Sequence, residues 1–183
     1  FGARPVRFVG AHTVRPVVVN NSLVFCAARG GHVREFGRVA QEGYATGDLS
    51  LRAAHLFDGL SIVSMAHQKA PFSIVWCVSS DGKLLGLTYV PEEEVGGWHV
   101  HETDGLFKSV CVIPEGDEDR VYFEVERTID SSTVRYIERL GSLADATLAN
   151  SYHVDAGITY SGSSATAITG LDHLEGETVA ILA

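Results

Sequence analysis

Along residues 16–140, apolar and polar positions alternate in short runs broken by turn residues, the pattern of half-buried strands. Strands are expected over residues 17–19, 22–27 and 32–37, joined by an Asn20-Asn21 turn and a Gly30-Gly31 turn, which makes a meander. The pattern returns over residues 73–79, 83–89 and 98–103. Its first turn, Ser80-Asp81-Gly82-Lys83, is a strong hairpin signal because glycine tolerates the positive φ such turns need. A third group covers residues 108–113, 120–128 and 133–140, with turns over 114–119 and 130–132.

Laid over one another, Trp98-His99-Val100-His101-Glu102 falls on Tyr136-Ile137-Glu138-Arg139-Leu140, a repeat of about 40 residues. An all-β fold of antiparallel three- to four-stranded sheets in repeat follows, read as a partial β-propeller, with a β-sandwich as the rival arrangement. Between the first two groups, residues 44–57 place Leu49, Leu51, Leu56 and Phe57 on a short helix or a buried loop, with Asp48 as a possible cap.

Composition changes after Leu140. Residues 141–150 read as a connector, and residues 151–170 are rich in Ser, Thr, Gly and Ala. Residues 1–150 are therefore expected to hold the repeated sheets, and 151–183 the first part of a second, small β domain with a strand over 177–182. The start at Phe1 and the stop at Ala183 suggest a piece of a longer polypeptide.

The chain has 183 residues, 45% hydrophobic and 20% charged, the balance of a globular protein. Its net charge of −9, without an opposing Lys/Arg run, argues against sequence-specific nucleic-acid recognition and against binding to anionic membranes. No apolar run approaches the roughly 18 residues of a membrane span, so no membrane insertion is expected. Cys26, Cys77 and Cys111 are an odd number, widely spaced and each set among apolar neighbours, which reads as buried free thiols in a reducing compartment.

The sharpest candidate chemistry is Gly97-Trp98-His99-Val100-His101-Glu102-Thr103. On a strand, His99 and His101 share a face and suit Zn²⁺ or Ni²⁺, but no third ligand is placed and Glu102 points the other way. They are weak metal candidates, and histidines packing on the strand surface beside Trp98 are the plainer reading. Glu92-Glu93-Glu94 reads as a solvated loop. Residues 115–119 lack the bidentate twelfth-position Glu of a calcium loop and read as a charged turn. No nucleophile elbow, phosphate loop or dinucleotide fingerprint is present. No catalytic residue and no cofactor is expected. Trp98 and Tyr89, if exposed on a blade rim, would offer a binding surface for stacking.

Four segments carry a family likeness. Asp48-Leu49-Ser50-Leu51-Arg52-Ala53-Ala54-His55-Leu56-Phe57, Asp81-Gly82-Lys83-Leu84-Leu85-Gly86-Leu87-Thr88-Tyr89, Gly97-Trp98-His99-Val100-His101-Glu102-Thr103-Asp104-Gly105 and Thr133-Val134-Arg135-Tyr136-Ile137-Glu138-Arg139-Leu140 resemble the tail-structure proteins of short-tailed bacteriophages and prophages. Thr169-Gly170-Leu171-Asp172-His173-Leu174-Glu175-Gly176-Glu177 resembles the small β domain these proteins share by name with ubiquitin-activating enzymes, without warrant for ubiquitin chemistry. The resemblance implies a non-enzymatic virion component of the tail tube, nozzle or hub, made in the bacterial host cytoplasm. It would form a homo-oligomeric ring with portal or adaptor proteins around the DNA path, where an acidic lumen lets DNA slide. A receptor- or glycan-binding tail module is the alternative.

Overall fold

The structure is a computed structural model that describes residues 8–39, 43–90, 93, 95–142, 160–179 and 181. Among the described residues, eleven strands form three antiparallel sheets, each a meander of consecutive strands. The first sheet holds β1 (Val17–Val19), β2 (Ser22–Cys26), β3 (Val33–Val39) and β4 (Gly43–Asp48). The second holds β5 (Ile62–Gln68), β6 (Ile74–Ser79), β7 (Leu84–Val90) and β8 (Val95–His101). The third holds β9 (Leu106–Glu115), β10 (Glu118–Ile129) and β11 (Ser132–Arg139).

The sheets stack face to face with the second in the middle. Val75, Cys77, Leu85, Leu87 and Tyr89 pack towards the first sheet's Val19, Val24, Cys26 and Val33. Ile74, Trp76, Val78 and Leu84 pack towards the third sheet's Phe107, Val110, Val121, Phe123 and Val125. All six residues of β6 are buried, since both of its faces are covered. The first strands of the sheets lie near one another: β5 contacts both β1 and β9. The all-β expectation holds, and the meanders, none closed into a barrel, fit either a sandwich or part of a propeller.

Two strands escape the sequence pattern. The first sheet has a fourth strand, β4, where only a connector was expected, because Gly43-Tyr44-Ala45-Thr46-Gly47-Asp48 carries too few β-branched residues to announce a strand. Strand β5 contains a bulge between Ile62 and Ser64 that breaks the two-residue period. Its buried residues Ile62, Met65 and Gln68 then fall three apart and imitate a helix. A 3-10 helix does form at Leu51–Leu56, but Asp48 does not cap it; its Oδ1 accepts the Ser50 N–H at 3.0 Å and its Oδ2 pairs with Arg34 at 3.2 Å. Phe57 is buried, whereas Leu51 is exposed.

Turns follow their residues. Gly82, at φ +83°, closes the β6–β7 hairpin, and its carbonyl accepts the Phe107 N–H at 2.9 Å, tying the hairpin to the third sheet. The β9–β10 turn is tighter than expected, because the strands run on to Glu115 and resume at Glu118 around Gly116 at φ +62°. The β10–β11 hairpin turns through Asp130 and Ser131, both at positive φ (+45° and +61°), where Asn-Gly is the preferred pair. Replacing Asp130→Asn together with Ser131→Gly is expected to raise stability by about 1 kcal/mol, because side chains other than glycine pay strain there. Urea titration reads this directly; a lower midpoint would contradict it.

The small β domain expected over residues 151–183 is described only in part. Residues 160–179 and 181 contain a 3-10 turn at Asp172–Leu174 and no strand among the described residues. Of the strand expected over 177–182, residues 177–179 form no strand, and residues 180 and 182 lie outside the described residues. The connector at 143–150 and the segment 151–159 lie outside the described residues. Cysteine expectations hold in part: Cys26 and Cys77 are buried free thiols, whereas Cys111 is exposed, on the outer face of the third sheet beside Tyr122 in the strand register. Burial pushes the Cys26 thiol up to about 11 and raises that of Cys77, so neither is a ready nucleophile.

Candidate functional site at the edge of the second sheet

Strand β8 closes the second sheet, with Gly86 opposite His99, Leu87 opposite Trp98 and Leu84 opposite His101. Alternation therefore sends Trp98 to the first sheet and both histidines to the third. The expectation that the histidines pack beside Trp98 is corrected: they lie on the other face. There the His99 and His101 rings stand 5.6 and 5.3 Å from Trp76 and 5.0 Å from each other, centroid to centroid. Trp76 is 1% exposed and also meets Phe123 edge-on at 6.5 Å.

Gly86 makes this packing possible. A methyl carbon there would collide with the His99 ring, so glycine lets the imidazole lie down on β7. The edge of His99 that carries Nε2 faces the sheet, which is not the posture of a ligand opening towards a cation. His101 Nε2 and the nearby Thr103 Oγ1 are buried with no hydrogen-bond partner among the described residues. Glu102, on the opposite face, pairs with Lys83 at 2.7 Å. Among the described residues no group of three His, Cys, Asp or Glu is arranged to hold a metal. The pair is best described as two neutral imidazoles forming the outer wing of the core around Trp76.

Burial lowers the pKa of both rings, and His101 adds to the effect on His99. His67 is lowered too, chiefly by burial; its Nδ1 donates to the Val18 carbonyl at 3.0 Å and its Nε2 meets the Ser73 hydroxyl at 3.1 Å, bridging β1 and the second sheet. A group whose folded pKa lies below its unfolded value of 6.5 is protonated more readily in the unfolded chain. Stability is then full above about pH 6.5 and falls as the pH drops below it. His99→Asn with His101→Gln should flatten that slope in urea midpoints taken from pH 7.5 to 5. An unchanged slope would place the acid sensitivity elsewhere.

Trp98 and Tyr89 do not form an exposed platform. Trp98 packs edge-on against Phe57 at 4.9 Å and donates its Nε1–H to the Leu49 carbonyl at 2.8 Å. Tyr89 is buried and its hydroxyl bonds to the Glu35 carboxylate. A more open aromatic pair lies elsewhere: half-buried Phe36 and exposed Tyr44 stack in parallel at 5.1 Å on the outer face of the first sheet, beside a groove of about 820 Å³ that Asn20, Asn21 and Arg38 also line. Alternation hinted at Phe36, but Tyr44 carried no signal while β4 went unrecognised.

The remaining acidic candidates are structural. Glu118 pairs with Arg120, Glu115 takes the Tyr122 hydroxyl, and Asp119 Oδ2 accepts the Lys69 and Ala70 N–H groups at 2.7 and 3.3 Å. Residues 115–119 are thus the charged turn expected; most of residues 92–94 lie outside the described residues. A network that sequence reading missed starts at Trp76, whose Nε1–H donates to Gln68 Oε1 at 3.0 Å, while Gln68 Nε2 donates to the Asp119 carbonyl at 3.0 Å. No helix among the described residues is long and apolar enough to cross a membrane. Comparison with protein-family models and with curated proteins finds no match to this chain.

Proposed function

We propose that the chain is a non-enzymatic structural module of a bacteriophage tail, assembling with other virion proteins into a ring around the DNA path. The observation that carries this reading is the stack itself: three consecutive meanders, packed face to face with neighbouring first strands, as blades of a propeller pack. Side chains that promised chemistry are engaged in packing or ion pairs, and the sequence likeness to tail proteins runs through the second and third sheets. The net charge of −9 suits a surface along which DNA slides. Electron microscopy of the full-length protein mixed with portal or adaptor components is expected to show rings. Monomers under all conditions would overturn the reading.

The Phe36–Tyr44 pair favours a second reading, a receptor- or glycan-binding module. A stacked aromatic pair beside the Asn20 and Asn21 amides has the chemistry to hold a sugar face. Tyr44→Ala is expected to weaken glycan-array binding about tenfold, the scale of one aromatic contact. No glycan bound by the unaltered chain would remove this reading.

A further inference from the structure

The two outer faces of the stack differ in how they treat charge. On the third sheet, Arg135 meets Glu124 at 2.8 Å, Arg120 meets Glu118 at 3.1 Å and Arg139 meets Glu115 at 3.5 Å, so these cations are matched by carboxylates. On the first sheet, the register places Arg34 opposite Asp48, Phe36 opposite Thr46 and Arg38 opposite Tyr44. Arg34 and Asp48 pair at 3.2 Å, which cancels those two charges. Arg38 is exposed and meets no carboxylate among the described residues, so it leaves that face with a local positive charge.

Arg38 also lines the groove beside the Phe36–Tyr44 stack, with exposed Asn21 at the neighbouring turn. At about 820 Å³ the groove falls within the span of small-molecule sites, about 300–1,000 Å³. Three chemistries thus meet at one place: an aromatic face for the C–H side of a pyranose, an amide for hydroxyls, and a guanidinium whose planar fork matches a carboxylate. A neutral sugar would use the first two and leave the cation idle. The chain's net charge of −9 does not oppose a short acid here, because charges further than about 10 Å away are screened at ordinary salt, whereas Arg38 acts in contact.

We propose that the groove takes an acidic sugar, a uronic or sialic acid residue, and that Arg38 is the side chain that selects its carboxylate. This rests on the glycan-binding reading and adds to it the class of sugar. The pyranose ring lies on Tyr44, and the carboxylate reaches Arg38, directly opposite Tyr44 in the strand register. Stacking supplies affinity that any sugar can share, and the charge-assisted bond supplies the selectivity.

The test uses the intact chain on an immobilised panel of oligosaccharides of galacturonic, glucuronic and N-acetylneuraminic acid, together with neutral galactose and glucose oligosaccharides. Each acid is presented free and as its methyl ester, which keeps the ring and removes the charge. At least one free acid should bind about tenfold or more tighter than its ester. Arg38→Gln should erase that difference, leaving acid and ester bound alike, and because Arg38 is exposed the variant's urea midpoint should not move. Tyr44→Ala should weaken acid and ester by the same factor. Acid and ester bound equally by the unaltered chain, or neutral sugars bound alone, would overturn this inference and leave the glycan reading standing. A preference for the acid that survives in Arg38→Gln would overturn the role of Arg38, and no glycan bound at all would overturn both readings.

Discussion

Trp76→Ala is expected to cost about 3–5 kcal/mol, enough to unfold much of the population of a domain whose whole stability is of order 5–15 kcal/mol. The indole is 1% exposed at the junction of the second and third sheets, where it touches His99, His101 and Phe123. Its removal leaves a cavity that the paired backbones on both sides cannot close. It also strips Gln68 Oε1 of the donor it meets at 3.0 Å, and Gln68 is only 4% exposed, so the amide oxygen would stay buried and unpaired at a further cost of about 1–3 kcal/mol. Trp76→Phe keeps a ring against the histidines and loses the hydrogen bond, so it should fall between. Urea titration followed by near-ultraviolet dichroism orders the three proteins; an alanine variant within about 1 kcal/mol of the unaltered chain would contradict this account of the core.

Gly31→Ala is expected to be the second severe change, at about 3 kcal/mol or more, although it adds one methyl group. Gly31 sits at φ +65° in the β2–β3 connection, and a Cβ there would run into the backbone carbonyl of Leu60, just beyond the 3-10 helix. Neither partner is a flexible side-chain end, so the two segments must separate. That pulls the first sheet from the linker that carries Phe57 into the core. Gly59 provides the control: its φ of +73° is similarly left-handed, but nothing lies within 4 Å of an added methyl carbon. Gly59→Ala should therefore cost only the conformational strain, about 1 kcal/mol. Equal losses at the two positions would mean that backbone strain alone, and not the approach to Leu60, sets the cost.

Strands β6, β7, β9, β10 and β11 could be read from the sequence because β-branched and aromatic residues alternate between recognisable turns. What could not be read was set by neighbours distant in sequence. Alternation put His99 and His101 on one face, but did not tell that each face of the second sheet would be covered. In a middle layer there is no solvent side for polar residues to mark. For the same reason Tyr89 and Trp98, read as candidates for a rim, turned out to serve the core, and the more open aromatic pair turned out to involve Tyr44 of the unrecognised β4. The bulge at Ile62–Ser64 hid β5, and with it the Gln68 amide that links Trp76 to Asp119.

Every strand pairing within the sheets joins elements consecutive in the chain, whereas the second and third sheets are fastened at points such as Ser64, whose hydroxyl accepts the Val110 N–H at 3.1 Å and donates to the Val110 carbonyl at 3.3 Å. A tensile load drawn along the chain therefore meets a series of short zippers and not one broad shear plane. Each sheet can yield strand by strand, extending the molecule by a small step and dissipating work, while the neighbouring sheet keeps its own ladder of hydrogen bonds.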